Sequence, residues 1–291
     1  MLHRSIKRCS QILTEQTPGL VRRCSSAGQV SHKRLDGKVA IITGAAGAVG
    51  SVTAKVFADH GANVIVTDIN DEAGEKVAQA ISQNAVYRHC DVSKESHVAG
   101  VVDYAVKEFG KLDILHCNAG RLPAPVDFQT LDMEQYDRAT GVLFRAVVLG
   151  IKHAARVMVP QKQGSILITA SSLSLCVDPG VSLLYNLNKT NLVGLTKIAA
   201  GHLGSHGIRV NAVAPGPIPT EMSLDWAKNT GVAQTMDEFK QWLEAKSPLL
   251  GKLCTERDIA NGALFLCSDE SRYVNGHVLA VSAGYHNLVK H

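Results

Sequence analysis

The sequence predicts one α/β domain over residues 35–291, a doubly wound parallel sheet of about seven strands with helices on both faces. Three features point there. Short apolar runs alternate with longer amphipathic stretches along nearly the whole chain. The runs are continuously apolar, as strands covered on both faces are. The first run enters a glycine-rich turn that opens directly into a helical pattern, the order in which a nucleotide-binding βα unit is built.

The elements follow in turn. Val39–Thr43 (VAIIT) is a β-branched run and the first strand, followed by helix over 51–60. NVIVT at 63–67 is the next strand, 72–82 a helix, Ala85–His89 a strand and 93–109 a helix. LDILHC at 112–117 is again a strand, and one long helix covers 133–158. Strands at 165–169 and 208–213 flank a helix at 185–202, and 256–266 is helical before a last strand at 277–281. The interruption after residue 215 is too long for an ordinary connection, which makes about 216–250 a substrate lid. At roughly 150 residues per domain the length admits two domains, but the strand–helix alternation uses it for one.

Of 291 residues, 45% are hydrophobic and 19% charged, so a sizeable core is available and disorder of the bulk is excluded. No run approaches the ~18 consecutive apolar residues of a membrane span. The net charge of +4 is unevenly placed. Residues 1–34 hold seven basic side chains against Glu15 alone, a net +6, and the remainder is at −2. A basic tail suggests nucleic acid, but the body has no matching basic excess. At ~100° per residue Leu2, Ile6, Cys9 and Leu13 share one sector, opposite Arg4, Lys7 and Arg8. An amphipathic, Ser- and Arg-rich, acid-poor stretch without a continuous apolar segment reads as a transit peptide, mitochondrial rather than secretory, with plastid or cytoplasm as alternatives. Five cysteines follow it, an odd number without C-x-x-C, and the twelve His show no H-E-x-x-H spacing, so neither a disulfide framework nor a metal site is expected.

The turn at 43–50 (TGAAGAVG) supplies small residues that let backbone N–H groups approach a pyrophosphate at a helix N-terminus. Asp68 ends the second strand, where a carboxylate accepts from both adenosine ribose hydroxyls and repels a 2′-phosphate. Neither the turn nor Ile69 brings a compensating Arg or Lys, which favours NAD over NADP. Tyr185 and Lys189, four apart on a predicted helix, share a face ~5–6 Å apart at Cβ. A tyrosine with pKa ~10 is a poor base, and a nearby ammonium lowers that value. Ser171 ends the strand upstream, placed to hydrogen-bond a substrate oxygen while Tyr185 exchanges its proton.

Together these motifs resemble the short-chain dehydrogenase/reductase family over essentially all of 35–291, which implies a Rossmann-like fold. By that resemblance Gly44, Gly47, Ala48, Val49 and Gly50 form the pyrophosphate turn, and Asp91 and Val92 the adenine-contacting pair. Asn118, Ala119 and Gly120 match its N-A-G motif, and Ser171, Tyr185 and Lys189 its catalytic trio. Tyr185 and Lys189 also bind the nicotinamide ribose side. Pro215, Gly216, Ile218 and Thr220 match the segment that holds the nicotinamide carboxamide. The stretch 153–171 looks most like a plant branch that includes secoisolariciresinol, xanthoxin and monoterpenol dehydrogenases, placing the chain in plant specialised metabolism. The resemblance further implies a homotetramer or homodimer.

Three departures stand out. Leu143 stands where the family usually has a fourth catalytic residue, an asparagine. Ala48 replaces a glycine of the turn, with Gly47 one place early. The C-terminal V-D-G-G reads V-S-A-G at 281–284, and Cys117 replaces the first asparagine of N-N-A-G.

The lid segment carries Ile218, Met222, Leu224, Trp226, Phe239, Trp242, Leu243, Leu249 and Leu250. The loop after Ser171 adds Leu173, Leu175, Cys176, Val177, Leu183 and Leu184. Either they line an apolar pocket for a hydrophobic alcohol or ketone, terpenoid or steroid-like, or they pack the lid onto the body. The leading expectation is an NAD-dependent dehydrogenase of such an alcohol. Leu143 motivates a second, a non-redox cyclase, isomerase or ligand-binding protein that keeps NAD as a structural element. An NADPH-dependent ketone reductase is the third.

Overall fold

The computed structural model describes residues 33–249 and 251–287. The amphipathic part of the leader, and Leu250 of the lid, lie outside the described residues. Seven strands form one fully parallel sheet in the order β3-β2-β1-β4-β5-β6-β7. They are β1 (Val39–Thr43), β2 (Asn63–Asp68), β3 (Ala85–His89), β4 (Ile114–Cys117), β5 (Gly164–Thr169), β6 (Ile208–Pro215) and β7 (Val278–Val281). The expected doubly wound fold is the one observed.

Alternate residues of each buried strand serve opposite faces, because successive side chains point to opposite sides of a sheet. Val39 and Ile41 pack beneath α3 (Glu95–Phe109), α5 (Ala146–Gln161) and α6 (Leu183–Leu203). Ala40 and Ile42 pack beneath α1 (Ala48–Asp59), α2 (Asp71–Ile81) and α9 (Glu256–Cys267). Every residue of β1 is buried, which is why its run shows no alternation. Truncating Ile41 or Ile42 to alanine would cost about 2–5 kcal/mol.

The expected long helix at 133–158 is in two pieces. α4 (Met133–Thr140) starts at Asp132, whose carboxylate accepts from the Glu134 and Gln135 N–H groups at 3.2 Å each. A π-helical turn, Gly141–Arg145, then joins it to α5. That turn carries Leu143 inward, to 1% exposure. The lid segment holds two helices, α7 (Glu221–Asn229) and α8 (Met236–Lys246), each started by a threonine capping box, Thr220 with Ser223 and Thr235 with Glu238. They share a small core of their own around Leu224, Ala227, Phe239 and Leu243.

Candidate active site

From β1 the sheet grows outward through β2 and β3, then the chain crosses back to β4 on the other side. The turns leaving β1 and β4 therefore diverge and open a crevice at the strands' carboxyl ends, where ligands bind in such sheets. Gly44 has φ +64°, and a Cβ there would lie 2.6 Å from the Ala119 Cα. A Cβ on Gly50 would lie 2.3 Å from the Gly44 carbonyl oxygen. The two turns thus meet backbone to backbone. Gly47 is different: its nearest neighbour would be 3.4 Å away, so the protein itself does not require glycine there. Gly47 caps α1 without any side-chain hydrogen bond, and the first turn of α1 holds no acid. Its free N–H groups and positive dipole end are open to an anion. The Ala48 methyl is exposed on the cleft, so the missing glycine creates no clash within the protein.

Asp68 is positioned by the same turn. Its Oδ2 accepts the Ala46 N–H and its Oδ1 the Asn70 N–H, both at 3.0 Å. Each carboxylate oxygen has room for a second hydrogen bond, the arrangement a ribose diol needs. Asp91 lies across the cleft, and the Ser93 hydroxyl at 2.6 Å holds its carboxyl below the usual range. The Asn118 amide donates to the Thr43 and Gly44 carbonyls at 3.1 and 3.2 Å, so this side chain stitches the two turns together. Its Oδ1 accepts from the Thr169 hydroxyl, which in turn sits 2.8 Å from Nε2 of the fully buried His116. With the Thr169 proton committed to Asn118, His116 must carry its proton on Nε2.

Ser171, Tyr185 and Lys189 come together at the other end of the cleft. Ser171 follows β5, and Tyr185 and Lys189 lie one turn apart near the start of α6. The Ser171 and Tyr185 side chains both line the second cleft, and the Ser171 hydroxyl accepts the Leu173 N–H at 3.2 Å. The Lys189 ammonium donates to the Thr169 carbonyl at 2.6 Å and lies 5.6 Å from the centroid of the Tyr185 ring. Burial lowers the Lys189 pKa to about 8. Burial also holds the Tyr185 phenol above its ordinary value, with the neighbouring Ser171 side chain opposing. The lowering of Tyr185 expected from Lys189 is not seen: desolvation sets the direction of its shift. Leu143 packs beside Gly120: a Cβ on that glycine would lie 3.5 Å from Leu143 Cδ2 and 3.9 Å from Lys189 Nζ. An apolar side chain therefore lies buried behind Gly120, on the side of the lysine.

Two clefts meet at this point. The larger, about 1670 Å³, runs from Asp68 and Asp91 past the glycine turn and Asn118–Gly120 to Lys189. The second, about 970 Å³, lies above Ser171 and shares Val49, Tyr185, Thr220 and Met222 with the first. Pro215, Gly216 and Ile218, expected along the first cleft, border the second instead. The strand β6 runs on to Pro215 and turns Gly216 against Ser282, which carries these residues past the first cleft. The Thr220 hydroxyl accepts from the Ser223 N–H at 3.3 Å as the cap of α7.

Both readings of the apolar lid residues hold, for different residues. Leu173, Met222, Trp226, Phe239 and Trp242 line the second cleft. Leu224 packs into the lid's own core, Leu184 is fully buried, and Leu175, Val177 and Leu249 are exposed. The Trp226 indole N–H donates to the Gly180 carbonyl at 3.1 Å, tying α7 to the loop after Ser171. Asp178 and Tyr285 also line this cleft, and Arg121 the first. Sequence reasoning missed all three. Tyr285 arrives from the far end of the chain through a turn with φ +50° at Ala283 and +83° at Gly284, and only that Ala-Gly pair hints at it.

A dinucleotide-sized cleft that ends beside a buried serine and lysine and a half-buried tyrosine defines a nicotinamide-dependent oxidoreductase. A family model described as enoyl-(acyl carrier protein) reductase matches residues 44–286. The chain is 42% identical over 258 residues to secoisolariciresinol dehydrogenase of Forsythia intermedia, covering 87% of this chain and 90% of that protein. It is 41% identical over 254 residues to a mitochondrial borneol dehydrogenase of Lavandula x intermedia, covering 87% and 92%. The crystal structure of a short-chain type dehydrogenase/reductase from Mycobacterium marinum superposes with a TM-score of 0.75 at 31% identity, over 86% of this chain and 96% of that one. The chain belongs to the short-chain dehydrogenase/reductase family. None of these relatives supports the non-redox alternative.

Proposed function

We propose that the protein oxidises a hydrophobic secondary alcohol, terpenoid or steroid-like in size and polarity, with NAD. The observation that carries this reading is the junction of the two clefts, where Ser171 and Tyr185 face a chamber walled largely by Leu173, Met222, Trp226, Phe239 and Trp242. The names of the lignan and borneol dehydrogenases to which the chain is similar support the substrate class. NAD rather than NADP rests on Asp68, whose carboxylate meets the adenosine ribose with no cation beside it among the described residues of the turn. The open N-terminus of α1, the absence of room for side chains at Gly44 and Gly50, and the free acceptor capacity of Asp68 all fit such a dinucleotide.

A bound nicotinamide supplies the two-electron acceptor for the carbinol C–H. The chain's own residues supply the proton chemistry. Ser171 positions the substrate oxygen, and Tyr185, as phenolate, takes the hydroxyl proton. Lys189, anchored on Thr169, binds the nicotinamide ribose and places positive charge near that phenolate. The glycine turn holds the pyrophosphate, Asp91 and Val92 border the adenine, and Thr220 lies where the carboxamide is expected. A panel of cyclic alcohols with NAD and NADP tests the reading. Turnover with NAD that disappears in Tyr185→Phe is expected. Undiminished turnover in that variant removes Tyr185 from the chemistry.

Residues 35–291 are proposed as the catalytic domain and 1–34 as a mitochondrial leader. A fluorescent protein carrying residues 1–34 that stays in the cytosol, or enters plastids, refutes that address. The exposed Leu187 and Ile198 of α6 and Val148 of α5 support a homodimer or homotetramer, and a monomeric mass by light scattering refutes it.

A further inference from the structure

The adenosine end of the larger cleft is the turn between β2 and α2, where Asp68, Ile69, Asn70 and Ala73 form the wall. That turn is held from beneath by β3. The Tyr87 hydroxyl lies 2.9 Å from the Asp68 carbonyl oxygen and 2.5 Å from Asp71 Oδ1, so one hydrogen is shared across the two ends of the turn. The Cys90 N–H donates to the same Asp68 carbonyl at 2.9 Å. His89 Nδ1 lies 2.7 Å from the same oxygen of Asp71.

The tyrosine ring reaches this place only because residue 74 is glycine. A Cβ there would lie 2.2 Å from Tyr87 Cε2 and 2.5 Å from Cδ2. Glycine inside a helix is unfavourable relative to alanine. In α2 it opens a slot for the ring, and the ring's polar end is spent wholly on the turn. Burial and the Asp71 carboxylate keep Tyr87 a neutral phenol, a permanent donor.

We propose that Tyr87 is a positioning residue for cofactor selection: by clamping residues 68–71 it fixes the Asp68 carboxylate to accept from an unphosphorylated adenosine ribose. Asp68 depends on this clamp because its Oδ1 is anchored by the Asn70 N–H inside the clamped turn, and that turn sets how its Oδ2 meets the Ala46 N–H of the glycine turn. Ile69, 66% exposed at the same rim, offers nothing polar to take over the ribose. The proposal rests on the NAD reading.

The test is titration calorimetry of the whole protein with ADP-ribose and with its 2′-phosphate, for wild type, Tyr87→Phe and Asp71→Asn, beside steady-state kinetics. Wild type binds ADP-ribose in preference. Tyr87→Phe weakens ADP-ribose by roughly three- to tenfold, the loss of about one hydrogen bond. The 2′-phosphate form changes less, so the preference narrows; KM for NAD rises while kcat is held. Asp71→Asn, an exposed change that weakens the same clamp, shifts affinity in the same direction by a smaller factor. Unchanged ADP-ribose affinity and preference in folded Tyr87→Phe, even with a lower Tm, overturn the proposal, as does unchanged affinity in Asp71→Asn if Tyr87→Phe does not fold. A wild type that prefers the 2′-phosphate overturns the NAD reading itself, a separate result from either variant's.

Discussion

Lys189 carries a cost that its proposed role would explain. It is 4% exposed, and burial brings its pKa from 10.5 to about 8. Below about pH 8 the folded protein holds a buried cation; the unfolded chain keeps that proton until about pH 10.4. Between those values the unfolded state binds more protons, so the free energy of unfolding rises with pH across the window. Lys189→Met removes the buried charge. At pH 7 this relieves on the order of 3 kcal/mol of desolvation against about 1 kcal/mol for the unbonded Thr169 carbonyl. The variant is expected to melt no lower than wild type at pH 7 and to lose the gain in stability between pH 8 and 10. Its alcohol oxidation should fall at least ~100-fold. Melting curves for both proteins across that range decide it; parallel pH dependences would mean that Lys189 does not titrate there. At this scale the sequence was legible where function depends on short spacing. Ser171, Tyr185, Lys189 and Asp68 are set by strand ends and one helix face. Tyr87, Asp178 and Tyr285 reach the clefts from elements distant in the chain, and no local pattern marks them.

At the scale of elements, buried strands and long helices were readable because their periodicity is imposed by the core they face. Boundaries were less so. α1 begins at Ala48 rather than 51 because the glycine turn itself supplies the first helical residues, Ala48 to Gly50. The π-turn at Gly141–Arg145 interrupts a continuous amphipathic pattern, and no Pro, which so often kinks a helix, lies in it to announce it. Such turns collect at functional sites, and here it brings Leu143 against the back of Gly120. The two lid helices did leave a signal: threonine followed three places on by Ser223 or Glu238 is a capping box. The lid's strong apolar pattern fits pocket lining and helix packing equally well, and so hides those helix starts. Leu224 shows the consequence, since it belongs to the lid's internal core.

At the scale of the whole molecule, the cofactor cleft straddles the point where the sheet's two halves diverge. One wall is built by the turns after β1, β2 and β3, the other by the turn after β4 and by α6. The halves are already joined by Asn118, which bonds the β1 turn from the end of β4. A dinucleotide lying across both walls adds contacts present only in the folded state. Ligand binding of that kind stabilises by RT ln(1 + [L]/Kd), about 2.7 kcal/mol at a hundredfold excess over Kd. For a domain of this size that corresponds to a Tm increase of roughly 5–10 °C. NAD at saturation is expected to produce such a shift. NADP at the same concentration should produce a clearly smaller one, because its 2′-phosphate meets the Asp68 carboxylate. Asp68→Asn should narrow the difference between the two by weakening NAD and relieving the repulsion of NADP. Equal shifts from both cofactors in wild type would contradict the role of Asp68 while leaving the family and the fold untouched. A thermal melt therefore separates cofactor choice from catalysis without any knowledge of the alcohol.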